Sequence, residues 1–73
     1  MNKQQLINTI SREHGYPKAE SERILNTILQ TIKTELRKGH LVRLRNFGTF
    51  QARKSHGKVR AKFDDSKNFF KNP

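Results

Sequence analysis

Arg43, Arg45, Arg53, Lys54, Lys58, Arg60 and Lys62 crowd into residues 43–62 of a 73-residue chain, with no carboxylate between them. Guanidinium and ammonium groups neutralise anions and donate hydrogen bonds to them, but they do not make or break bonds unaided. The wider block, residues 36–63, adds Arg37 and Lys38 and holds nine basic side chains and no acid. Residues 1–35 carry five basic residues against four acids, and residues 64–73 carry two against two. Of a formal net charge of +10, +9 therefore sits in one central block. Solubility needs only a modest, dispersed excess, whereas a segregated block makes a field of one sign that draws in a polyanion. Nucleic acid is the expected partner.

Other chemistry finds little support. His14, His40 and His56 fall at a helix end, a strand start and a turn, without the spacing of metal ligands. Asp64 and Asp65 are adjacent carboxylates that read as caps between a strand and a helix, with no third ligand near them in sequence. There is no cysteine, and no nucleophile stands with a base. The expectation is a protein that is not an enzyme, with no metal, no cofactor and no small-molecule substrate.

The elements that must position the cations follow from periodicity. In residues 3–14 Leu6, Ile7 and Ile10 share one helical face, Asn2 is placed to cap the start, and Gly15 stops the end. A second helix, residues 17–38, opens at Pro17, carries Glu20 and Glu22 near its positive end, and finishes at Arg37-Lys38-Gly39. Its apolar stripe, Ile24, Leu25, Ile28, Leu29, Ile32 and Leu36, is wider than one short helix can cover. After Gly39 the period changes to two. Three antiparallel strands are predicted at 41–45, 48–54 and 58–63, with Asn46 and Gly48 at the first turn. His56-Gly57 suits a two-residue hairpin that needs positive φ. One sheet face is then apolar and the other carries Arg43, Arg45, Gln51, Arg53, Arg60 and Lys62. A last short helix is expected at 66–71, with Phe69 or Phe70 turned inward.

The fold class is therefore α+β, in one domain spanning residues 1–73. A chain this small with 32% hydrophobic residues and no disulfide is poorly placed to fold alone, so a partner subunit is expected. No apolar run approaches the length of a membrane span, and "MNKQQLINTI" lacks the apolar core of a signal peptide. A soluble, cytoplasmic protein is expected, with no membrane partner.

The order helix, helix, three strands, short helix, with "MNKQQLIN", "LRKG" and "NFGTF" at 46–50, resembles the HU and integration-host-factor family of bacterial DNA-bending proteins. The likeness covers nearly the whole chain. It implies an intertwined dimer, homo- or heteromeric, whose helices form the body and whose two sheets form a saddle for double-stranded DNA. It also implies that Phe47, Phe50 and Phe63 make an aromatic cluster at the dimer core, and that Lys3, Arg53, Arg60 and Lys67 meet DNA phosphates. Family members carry a long two-stranded arm between the second and third strands, tipped by a proline that wedges between base pairs. Here about "KSHGK" replaces that arm, and the only prolines are Pro17 and Pro73.

The resulting expectation is an armless, HU-like architectural protein of the bacterial nucleoid, or of a phage-infected host. Its low-specificity phosphate contacts would come from Arg43, Arg45, Arg53, Lys54, Lys58, Arg60 and Lys62, flanked by Lys3 and Lys67. Little intercalative bending is expected. Two other classes are weighed. One is a protein-interaction role as heterodimer partner of a full-armed relative. The other is RNA binding, for which exposed stacking aromatics are missing.

Overall fold

Asn2 begins the first helix with a reciprocal cap: its Oδ1 accepts from the Gln5 N–H at 3.0 Å, and the Gln5 side chain accepts from the Asn2 N–H at 2.8 Å. Two donors that helical geometry leaves without partners are thereby satisfied. Helix α1 runs Lys3–His14 and ends on Gly15, whose φ of 69° lets its N–H return to the Ser11 carbonyl. Helix α2, Lys18–Arg37, follows Pro17, whose carbonyl accepts from both the Ser21 N–H and its hydroxyl. Its far end closes with Gly39 at φ 81°: His40 N–H reaches the Glu35 carbonyl and Gly39 N–H the Leu36 carbonyl. That six-to-one and five-to-two pair stops the helix where the sequence places its glycine.

These features belong to a computed structural model that describes residues 1–71. The chain divides into two compact units, residues 1–31 and residues from 32 onward. In the first, Ile7, Leu25 and Ser21 are buried, while Leu6, Tyr16, Ile28 and Leu29 stay 40–50% exposed. Two buried aliphatic side chains are a meagre core. The second unit contains β1 (Val42–Leu44), β2 (Gly48–Ser55) and β3 (Lys58–Asp65), an antiparallel sheet in the order β1-β2-β3. Val42 pairs with Phe50, which in turn pairs with Phe63, so the apolar positions of all three strands align in one row.

Two expectations are corrected. The helix placed at 66–71 is absent: Ser66 to Phe70 form successive turns, with Phe69 N–H on the Ser66 carbonyl and Lys71 N–H on the Asn68 carbonyl. Six residues are too few to repay helix nucleation without strong packing, and four-residue turns satisfy some of the same groups. Asp64 and Asp65 are not caps either. The ladder with β2 carries β3 past Phe63, pairing Thr49 with Asp64 and Gly48 with Asp65.

Gly48 explains why that end of the hairpin zips so tightly. A Cβ there would lie 2.5 Å from the Asp64 carbonyl oxygen and 2.6 Å from the Phe63 ring. Only glycine admits so close an approach of strand and ring.

Candidate nucleic-acid interface

The turn between β2 and β3 is two residues long, and both have positive φ: 49° at His56 and 76° at Gly57. That conformation matches the twist of the flanking strands and holds them in strict register. Ser55 then pairs with Lys58, Arg53 with Arg60, and Gln51 with Lys62. Side chains alternate along each strand, so these pairs share one face, and Arg43, opposite Thr49, joins them from β1. Arg43, Arg53, Lys58, Arg60 and Lys62 therefore stand in rows on a single polar surface.

Placing Arg53 directly across from Arg60 sets like charges side by side, which destabilises a sheet. Neither arginine has an acidic partner among the described residues, nor have Arg43 and Lys58. The cost is small because both side chains are exposed, but no acid among the described residues offsets it. An anion from outside would.

The other sequence-predicted cations fall elsewhere. Lys54 pairs with Val59, on the opposite face with Phe50, Ala52 and Ala61. Its position in the alternation, next to Arg53 rather than two away, already carried that signal. Arg45 lies in the turn after β1 and lines an open hollow of about 350 Å³ with Arg43, Thr49 and Asp64. Lys67 sits in the turns after β3, and Lys3 opens α1 in the first unit. Near the hairpin tip, Ser55, His56, Lys58 and Arg60 line a second shallow hollow of about 320 Å³.

The reverse face carries the aromatic cluster. Phe50 and Phe63 lie 4.9 Å apart between ring centroids, Phe47 and Phe63 5.3 Å, and Phe47 and Phe50 6.5 Å. Phe69 closes on Phe47 at 5.1 Å, a member the sequence left undecided between it and Phe70, which is 88% exposed. The cluster is open on one side: Phe47 remains 44% exposed and Phe63 38%. Toward the tip the same face becomes a hollow of about 280 Å³ lined by Ala52, Val59 and Ala61 with Lys33, Leu36 and Arg37 from the last turns of α2.

No three His, Asp or Glu side chains group as metal ligands would among the described residues. No described helix is long and apolar enough to cross a membrane.

The profile of a family described as bacterial DNA-binding protein matches residues 1–68. The chain belongs to that family. Among its relatives, the DNA-binding protein HU of Thermotoga maritima is 40% identical over 55 residues, covering 75% of this chain and 61% of that protein. The DNA-binding protein HU of Buchnera aphidicola is 45% identical over 51 residues, covering 70% of this chain and 55% of its own length. The chain thus spans little more than half the length of these curated relatives. A solved structure of a mutant HU from Thermotoga maritima superposes with a TM-score of 0.83 at 37% identity, covering 93% of this chain and 92% of that one. The helix-helix-sheet arrangement is the α+β fold of the family.

Proposed function

We propose that this chain is a non-enzymatic, HU-like architectural protein that binds double-stranded DNA through the polar face of its sheet, with contacts mainly to phosphate. The observation that carries this reading is the facing pair Arg53 and Arg60 at the distal half of the hairpin, flanked by Lys58 and without acidic partners among the described residues. Phosphate contacts position a protein on a duplex but carry no base information, so specificity is low. The tip, Ser55-His56-Gly57-Lys58, offers no apolar side chain to insert between base pairs, and intercalative kinking is therefore absent or slight. The working place is the bacterial nucleoid, or the cytoplasm of an infected host. No cofactor takes part.

The functional unit is a dimer in which both compact units act as one domain. Half-exposed Phe47, Phe63, Ile28 and Leu29 supply apolar surface that a second subunit covers. A homodimer is the primary reading. Pairing with a full-armed family member is the second, favoured by a 30% identical relative named as the alpha subunit of integration host factor, from Myxococcus xanthus.

A titration against duplex DNA, duplex RNA and single strands, together with a solution mass, tests these statements. Preference for duplex DNA by a species of twice the chain mass is expected. Equal binding of single strands, or a monomer, would overturn them.

A further inference from the structure

Asp64 breaks the rule of the polar face. It lies in the strand ladder opposite Thr49, two residues along from Lys62 and on the same side, the one acid that β2 and β3 present among the cations. Its carboxylate accepts a hydrogen bond from the Gln51 amide and stands 3.6 Å from the Lys62 Nζ. The Gln51–Asp64 contact is a diagonal one across the hairpin, and the Lys62–Asp64 pair runs along β3 between residues two apart. Lys62 and Asp64 keep 42% and 49% of their side-chain surface exposed, so both face the solvent a duplex would displace. Asp65, by contrast, has opposite parity and pairs with Gly48 on the reverse face.

We infer that Asp64 is a negative determinant of the DNA interface: it occupies Lys62, repels phosphate from the base of the sheet, and confines the duplex to the distal cations Arg53, Lys58 and Arg60. The inference rests on the DNA-binding reading above. A phosphate approaching Lys62 must displace a carboxylate already paired with it and then sit beside that carboxylate. Moving the duplex toward the tip avoids both. Asp64 thus sets how many phosphates each subunit neutralises, and through that number the salt dependence and footprint of binding.

The experiment compares Asp64→Asn with Asp65→Asn, which change net charge equally on opposite faces. Binding to a labelled duplex of about twenty base pairs is followed across salt. Asn at 64 still accepts from Gln51 through its amide oxygen but frees Lys62. One additional phosphate per subunit steepens the log-affinity slope by about 1.8 for a dimer. The gain in affinity over the parent should then shrink about twelvefold between about 50 and 200 mM salt, from that same slope. Asp65→Asn should leave the slope at the parental value. Adding Lys62→Ala to Asp64→Asn should abolish the steepening, which a purely structural role of the carboxylate would not require. Equal slopes for Asp64→Asn, Asp65→Asn and the parent would overturn the inference while leaving the DNA-binding reading intact. A parent with no salt-dependent binding would overturn that reading instead.

Discussion

The β2–β3 hairpin has two ends built from the same alternating pattern but with opposite contents. At its base, Phe50 and Phe63 pair across the strands, Gly48 lets them close, and Phe47 and Phe69 pack around them. At its tip, Arg53 faces Arg60, Ser55 faces Lys58, and the reverse side holds only Ala52, Lys54, Val59 and Ala61. The base holds together by burial and close approach, whereas the tip is held by register and turn geometry while its side chains repel one another. One ladder of hydrogen bonds thus lets stability be concentrated at one end and unpaired charge at the other. Lys62, opposite Gln51, lies at the boundary between them, and Asp64 holds it from the base side.

Changes at the base should strike stability. Phe47→Ala is expected to cost about 3 to 5 kcal/mol in a dimer that covers the ring's remaining surface. Denaturant unfolding measures it, and a loss under about 1 kcal/mol would mean that the cluster is not the anchor of the base. The parent's thermal midpoint should also rise with protein concentration, since folding coupled to association follows mass action. Gly48→Ala comes next, at about 1 to 3 kcal/mol, because strand and ring must part to admit the methyl group. An unchanged midpoint would show that the close approach is dispensable.

The smallest change should appear in the DNA. Unstacking a base step costs a few kcal/mol, and the tip carries no wedge to offset it, so the duplex should stay nearly straight on binding. Energy transfer between the ends of a duplex of about thirty base pairs reports this. A bend beyond about 60° with one dimer bound would show that the basic face kinks DNA without an arm.

Much of this contrast could be read from residue order. The alternation of Val59, Ala61 and Phe63 with Arg60 and Lys62 marks β3, and His56-Gly57 marks its turn, because a period of two and positive φ are local properties. The far end of β3 was not legible. Asp64-Asp65-Ser66 has the composition of a helix cap, and only the ladder reaching back to Gly48 draws both acids into the sheet. For the same reason the short helix expected after them is replaced by turns, with Phe69 held by the aromatic cluster rather than by helical bonds. Parity draws most of the polar face but also counts Arg45 with Arg43, which the turn after β1 takes off the strand. Counting by twos from Arg60 reaches Asp64, and counting by twos from Arg53 excludes Lys54.

The most direct test of a charge-bearing tip is the salt dependence of duplex binding by the parent and by the double variant Arg53→Ala, Arg60→Ala. With about five to eight phosphates neutralised per dimer, the parent should show a log-affinity slope of roughly −4 to −7. Removing four facing guanidinium groups per dimer should flatten it by up to about 3.6. Stability should stay within about 0.5 kcal/mol of the parent, because exposed like charges are lost and no burial is. A slope near zero in the parent, or a variant that binds with the parental slope and affinity, would contradict the account.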